Sequence, residues 1–367
     1  MEMLKKIMKT AGIILAVLVG IIVIFAIVIF TIRAVNGSKY KIKSSGGIDE
    51  STYIQINGIQ QYINIRGEDT SNPVMIFVHG GPASPMGYVA PYYQQPIEEK
   101  FTVINYDQRG CGRTYYANGK SFENLTVEQL ERDLDAIVDY ACERFGQDKV
   151  VIMGHSWGTI LGTVYAKNHP GKVSAYIGVS QCISNLFDGK IVIGEKALAA
   201  ASSKNKKDAE ALEAALSRMR EVSDYDDMSI DDLMTAASLS SKYLACEGEM
   251  SSMGQMWIGL TSPQMNMQDI GWFMQMTNTS EFFASQRALM EYAFFGFDLN
   301  EMGSEYEFPV YYIAGSDDYA VPQELAKEYY DTFAAPDKEF VTVENTGHSM
   351  FMDNPEEFSR VVLSFFE

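Results

Sequence analysis

The sequence predicts an α/β protein: an eight-stranded, mostly parallel sheet with helices on both faces, an inserted helical lid and one transmembrane helix ahead of it. Three observations carry this. Short apolar runs of strand type alternate with helical patterns over residues 51–180 and again over 303–367. Between them, over residues 181–302, the alternation stops and helical patterns rich in Ala, Met and acidic residues take over. At the front, Ala11 to Ile32 is a run of 22 residues without a charged side chain.

At helical rise that run gives roughly 33 Å of helix, enough to cross a bilayer core. A cleaved signal peptide has an apolar region of about 7–15 residues closed by a small-x-small site. This run is longer, and bulky residues continue to Ile32. Residues 1–34 therefore read as an uncleaved single-pass membrane anchor, and 35–50 as a polar linker. Lys5, Lys6 and Lys9 precede the span and Arg33, Lys39, Lys41 and Lys43 follow it, so loop charge alone does not orient it. A short tail before a single N-terminal span usually stays in the cytoplasm, which places the main domain on the extracytoplasmic side.

Next, Tyr53–Ile56 and Gln60–Ile65 flank Asn57-Gly58, a strong short hairpin signal. Val74–Val78 and Phe101–Tyr106 are apolar runs of buried-strand type. Thr126-x-x-Gln129 has the form of a capping box and opens a helical pattern reaching Phe145. Val150 to Met153 reads as a strand running into Gly154-His155-Ser156-Trp157-Gly158, the stretch from Thr159 as a helix that stops near Asn168, and Val173–Val179 as a further buried strand. The lid has helical patterns at Lys204–Glu221, Ser229–Tyr243 and Glu281–Phe295, with an aromatic and methionine stretch from Met250 to Met276. Alternation resumes with Val310–Ala314, a helix over Gln323–Phe333, the strand Glu339–Val343 and a last helix over Pro355–Phe366. A lid inserted after the sixth strand sits over the strand carboxyl ends, where open α/β sheets bind ligands.

Composition narrows the function. With 367 residues, 47% of them hydrophobic, the chain can bury one sizeable core with an insertion. A net charge of −19 repels phosphates, and no basic cluster offsets it, so nucleic acid is not an expected partner. Cys111, Cys142, Cys182 and Cys246 show no C-x-x-C or Cys/His ligand spacing. Neither a zinc site nor a disulfide framework is expected.

The chemistry centres on Gly154-His155-Ser156-Trp157-Gly158, which stands between the strand pattern and the helical one. A serine at such an apex is a nucleophile elbow: the turn is strained, the flanking glycines allow close backbone approach, and the helix start directs N–H groups at developing negative charge. A serine nucleophile needs a base, and the base needs an orienting acid. The chain has four histidines. His79 opens a loop after a strand, His155 lies inside the elbow, and His169 precedes a proline at a helix end. Only His348, in Asn345-Thr346-Gly347-His348 directly after the last strand, follows the order Ser, Asp, His. The acid belongs in the loop after the seventh strand, Gly315 to Pro322, where Asp318 is chosen and Asp317 held in reserve. Backbone N–H groups of Trp157 and of the loop His79 to Ser84 would bind the oxyanion, with Gly81 preferred there and Gly80 next. Neither metal nor organic cofactor is needed by this chemistry.

Taken in order, H-G-G-P at His79–Pro82, D-Q-R-G-C-G at Asp107–Gly112, G-H-S-W-G at Gly154–Gly158, G-x-x-D-x-x-V-P at Gly315–Pro322 and G-H at Gly347–His348 resemble the α/β-hydrolase superfamily. Within it they are most similar to the prolyl aminopeptidase (proline iminopeptidase) family, over Tyr53 to Glu367. The resemblance implies Ser156, Asp318 and His348 as nucleophile, acid and base, with Gly81 and Trp157 as oxyanion donors. It makes Asp107–Gly112 a structural turn near the pocket, with Arg109 outside the catalytic set. It also implies a lid glutamate that holds the substrate's free α-amino group. Glu291, before the aromatics Tyr292, Phe294 and Phe295, resembles the family's segment, and Glu247 and Glu249 are the other candidates. The sequence departs from the family at Ala83, where H-G-G-P is usually followed by glycine.

The expected activity is thus a membrane-anchored serine hydrolase releasing small N-terminal residues, proline among them, from peptides. The alternative is a carboxylesterase or thioesterase acting on small acyl substrates, for which the Met-rich lid would suit an adaptable pocket. Dehalogenases and epoxide hydrolases of the superfamily have an aspartate where Ser156 stands. A non-catalytic binding module on this scaffold typically loses a triad member, and here all three are present.

Overall fold

A computed structural model describes all residues from 1 to 367. Eight strands form one sheet: β1 (Ile48–Ile56), β2 (Ile59–Gly67), β3 (Val74–Val78), β4 (Thr102–Tyr106), β5 (Val150–His155), β6 (Val173–Val179), β7 (Val310–Gly315) and β8 (Lys338–Val343). Their order is β1-β2-β4-β3-β5-β6-β7-β8. The pairs of β2 with β1 and with β4 are antiparallel, and all others are parallel. The β1–β2 turn is the expected hairpin, with Asn57 at φ 42° and Gly58 at φ 85°, the pair of positive φ values that a tight primed turn requires.

Eleven helices have seven residues or more: α1 (Glu2–Lys39), α2 (Val127–Phe145), α3 (Trp157–Asn168), α4 (Leu186–Ser202), α5 (Lys206–Met219), α6 (Ile230–Leu244), α7 (Ser252–Thr261), α8 (Met267–Met276), α9 (Thr279–Ser285), α10 (Gln323–Thr332) and α11 (Pro355–Ser364). Alternating side chains of the parallel strands serve the two faces of the sheet. Ile76, Ile104 and Ile152 face Leu134 and Ile137 of α2 and Ile160 of α3. Their neighbours Phe77, Val103 and Val151 face Phe358 and Val361 of α11. Burial on both faces explains why these strands read as continuous apolar runs.

Helices α4 to α9 lie between β6 and β7 and build a cap with its own apolar cluster, including Phe187, Leu212, Leu216 and Leu233. Asn185, Asn205 and Ser229 cap the starts of α4, α5 and α6 through their side chains. The cap is fastened to the sheet by a buried bidentate pair, Arg113 Nε to Asp269 Oδ1 at 2.8 Å and Nη2 to Oδ2 at 2.7 Å. Trp272 Nε1 adds a bond to the carbonyl of Ala83 at 2.9 Å.

Four local expectations need correction. The stretch 35–50 is not a polar linker along its length. Helix α1 continues through Lys39 and β1 already begins at Ile48. Cap carbonyls hold the helix end: Arg33 Nε donates to Leu260 O at 2.7 Å and Asn36 Nδ2 to Thr261 O at 3.0 Å. The pattern Glu281–Phe295 is not one helix. It breaks at Gln286, whose buried side chain turns inward towards the Gly110 carbonyl, and it ends in a π-turn over Tyr292–Gly296. Helix α4 lies outside the helical patterns read from sequence, although Asn185-x-x-Asp188 marks its start. At α2, Thr126 accepts from the Gln129 N–H, but the Gln129 side chain donates to Asp133 instead of closing a capping box.

Candidate active site

Ser156 stands between β5 and α3 with φ 54° and ψ −122°. This left-handed conformation strains a residue that carries a Cβ, and it persists only where the surroundings over-determine it. Here they do. The Ser156 N–H donates to Val179 O at 3.0 Å, and Thr159 returns a side-chain bond to Ser156 O at 2.7 Å. A Cβ on Gly158 would overlap the Val78 carbonyl oxygen, and one on Gly154 would overlap that of Gly158. The elbow therefore closes only with glycine at both places.

His348 reaches the same cavity from the loop after β8. Its Nδ1 lies 2.9 Å from Asp318 Oδ2 and 3.0 Å from Oδ1. Asp318 is buried and also accepts the N–H groups of Ala320 and Val321 at 2.8 and 2.9 Å. Burial pushes this carboxyl up, but the His348 ring and the donors around it outweigh burial and hold it at about 2. Asp317 is exposed and accepts from the Ser316 hydroxyl, away from the ring. The geometry separates the two aspartates, which the sequence left adjacent and open.

Ser156, His348, Gly80 and Gly81 line one cavity of about 370 Å³. Trp157 is the first residue of α3, so its N–H lacks an intrahelical acceptor. The Gly81 N–H has no backbone partner either. Both proposed oxyanion donors are thus unspent.

Two buried histidines, not foreseen as parts of the site, brace it. His155 Nε2 lies 3.0 Å from the carbonyl of His348, and its ring sits 4.9 Å from the His348 ring and 4.8 Å from Phe351. His79 Nδ1 lies 2.9 Å from Gly80 O, while its Nε2 accepts the Gln108 N–H at 3.2 Å. Burial drives the pKa of His155 down to about 3 and that of His79 to about 4. Both are therefore neutral when folded, and the unfolded chain, near the ordinary value of about 6.5, takes up protons first as pH falls. Stabilisation by the neutral rings is complete above about pH 6.5 and is lost as pH drops towards 4 and 3. We expect the urea midpoint of the chain in detergent to fall between about pH 7.5 and 5. The loss from the two rings is partly offset by the buried Asp107 carboxyl, which burial raises to about 7 and which therefore stabilises the fold as it protonates over the same range. His155→Gln, which can still donate to the His348 carbonyl, should flatten that slope; an unchanged slope would contradict the assignment.

The acidic candidates of the lid part company. Glu291 is 54% exposed on the outer side of the cap, with Arg287 at 3.8 Å, and it does not line the cavity. It ends the helical turn before the π-turn, which carries Phe294 inward and leaves the carboxylate in solvent. Glu247 is also exposed. Glu249 is the one held against the His348 loop: a Cβ on Gly347 would lie 3.0 Å from its carboxyl carbon. Its Oε1 accepts from Tyr319 and its buried Oε2 has no partner. Burial raises its pKa. Asp353 ties the same cap segment to this loop by accepting from Met250 N at 2.8 Å and Gly347 N at 2.9 Å. Lys190, from α4, lines the cavity and donates to Ala320 O at 3.0 Å, with its ammonium pKa lowered by burial. Arg109 lies outside the cavity, paired with Asp133 through Nε at 2.7 Å and Nη2 at 3.0 Å. The four cysteines are free, and no group of three or more His, Cys, Asp or Glu side chains is arranged to hold a metal ion.

The model of the alpha/beta hydrolase fold family matches residues 73–355. The chain belongs to the α/β-hydrolase family. It is 26% identical over 328 residues to "Probable aminopeptidase YbaC" of Bacillus subtilis (strain 168), covering 84% of this chain and 93% of that protein. It is 33% identical to the proline iminopeptidase of Neisseria gonorrhoeae over 138 residues, 36% of this chain and 41% of that relative's length. Among solved structures, a proline iminopeptidase from Mycobacterium smegmatis superposes with a TM-score of 0.61 at 18% identity, over 86% of this chain and 97% of that one. With these relatives the chain is a serine hydrolase of aminopeptidase-like kind, and the eight-stranded fold is that of the family.

Proposed function

We propose that the chain is a membrane-anchored aminopeptidase that releases small N-terminal residues such as proline through an acyl-serine intermediate. The observation that carries this is Asp318 clamped on Nδ1 of His348, with Ser156 held in its strained elbow on the same cavity. His348 Nε2 takes the Ser156 proton as Oγ attacks the scissile carbonyl, and the ionised Asp318 stabilises the imidazolium. The N–H groups of Gly81 and Trp157 receive the oxyanion. His348 then protonates the leaving amine, and a water deprotonated by the same ring hydrolyses the ester. Residues 181–302 act as the lid over the core formed by 51–180 and 303–367. Helix α1, long and apolar enough to span a membrane, anchors the enzyme with its catalytic unit outside the cytoplasm, a placement that protease added to intact cells checks directly.

An aminopeptidase must tell a free ammonium from a blocked one. Glu249 stands outside the cavity lining too, but it is packed against the His348 loop with a buried carboxylate oxygen that lacks a partner, and it takes the role first given to the exposed Glu291. A charge-assisted pair there is worth about 1.5–3 kcal/mol, roughly ten- to a hundred-fold in specificity. Prolyl and alanyl amides should be cleaved well and their N-acetylated forms poorly, and Glu249→Gln should erase most of that difference. The esterase or thioesterase reading also has an observation in its favour: the cavity wall carries Lys190 and no carboxylate, alongside Met86, Leu186 and Phe294. Equal rates on free and acetylated substrates, with preference set by acyl size, would decide for it.

A further inference from the structure

The cap stretch Ser251 to Ser280 has a single charged side chain, Asp269, in a chain that is 21% charged. That one charge is buried against Arg113. Besides small uncharged polar residues, the stretch exposes large apolar side chains: Met253 at 72%, Met267 at 77%, Met274 at 62%, and Met256, Trp257 and Phe273 at 41–48%. An acidic soluble surface has no reason to leave such a face bare, and faces of this kind mark interaction sites.

Its place along α1 says what covers it. Trp257 meets Phe25 with ring centroids 6.4 Å apart. Further on, Arg33 and Asn36 bond the carbonyls of Leu260 and Thr261. The two helices thus run in the same sense, and the start of α7 lies deepest. Phe25 is seven residues before Ile32, the end of the apolar run, or about 10 Å inside it at helical rise. Any bilayer that α1 crosses must then reach the first turns of α7. Met253, one turn before Trp257 on the same face, lies deeper still.

We infer that the outer face of α7 is a membrane-docking surface, seated in the lipid interface beside the anchor. This rests on the reading of α1 as a membrane span. Tryptophan just inside the headgroups, with Met253 deeper towards the acyl chains, fits that depth. Lacking charge, the face gains nothing from anionic lipids, so docking is apolar and insensitive to salt. Helix α7 also contributes Gln255 to the cavity wall, which places the lipid boundary and the Ser156 cavity on two sides of one helix.

The test uses the full chain in phosphatidylcholine vesicles, with tryptophan emission read against lipids brominated near the glycerol end of the acyl chain. Trp157 and Trp272 are buried, so Trp257 should supply most of the quenchable emission, and Trp257→Phe should lose it. Met253→Trp in that background should restore quenching. The same substitution in the unaltered chain is read in parallel, so the result does not depend on Trp257→Phe folding. Vesicle flotation of the chain, with the indole introduced by Met253→Trp quenched by aqueous iodide and not by bromolipid, would overturn the docking surface and leave the anchor standing. Quenching by neither agent would mean that protein, such as a second copy, covers the face, and would also overturn it. Failure to float would remove both readings.

Discussion

Turnover by the Ser156→Ala variant is expected to fall to background, a loss of about 10⁶-fold in kcat by comparison with triads taken apart residue by residue. Labelling by a serine-directed phosphonate should disappear with it. The fold should survive, because alanine occupies the elbow with the same Cβ and loses only a hydroxyl. The bonds that hold the turn run through the Ser156 backbone, from its N–H to Val179 O and from Thr159 to its carbonyl. Circular dichroism and the thermal midpoint should therefore stay close to the parent's. Undiminished labelling of this variant would mean that another nucleophile carries the reaction.

Asp318→Asn should lower kcat by about 10⁴-fold through the tautomer of His348. Asp318 Oδ1 accepts two backbone N–H groups, from Ala320 and Val321. In the variant the amide oxygen is kept by those donors, so the amide nitrogen faces His348 Nδ1. Two donors cannot pair, so the ring proton moves to Nε2, where it blocks acceptance from Ser156. Asp317→Asn, in contrast, alters an exposed carboxylate bonded to Ser316 and should change kcat by no more than a few fold. The reverse pattern in steady-state kinetics would exchange the roles of the two aspartates.

Much of this architecture was legible in the sequence, and for physical reasons. The parallel strands are buried on both faces, so Val74–Val78 and Val173–Val179 stand out as apolar runs with the same bounds in sequence and structure. The elbow is legible because two close backbone approaches admit only glycine at Gly154 and Gly158. What escaped reading depends on contacts distant along the chain. Nothing near residue 35 signals that Leu260 and Thr261 carbonyls will accept from Arg33 and Asn36 and carry the helix onward. Glu291 was misplaced because a helical pattern does not disclose the break at Gln286 or the π-turn that follows, and these decide which side chain points inward. Glu249 was among the candidates, but its partners Tyr319 and Gly347 belong to loops some seventy to a hundred residues away.

The continuation of α1 into the cap bears on which substrates the enzyme meets. A flexible linker of a dozen residues would let the catalytic unit wander over about 20 Å. A helix bonded to the cap at Arg33 and Asn36 allows little of that freedom. On the proposed reading of α1 as a membrane anchor, distance from the lipid then becomes a selection rule in its own right. Under the proposed aminopeptidase activity, chain ends presented at the height of the cavity would be within reach whatever their bulk concentration, while identical ends held farther out, on a tall or stiff stalk, would pass overhead uncut.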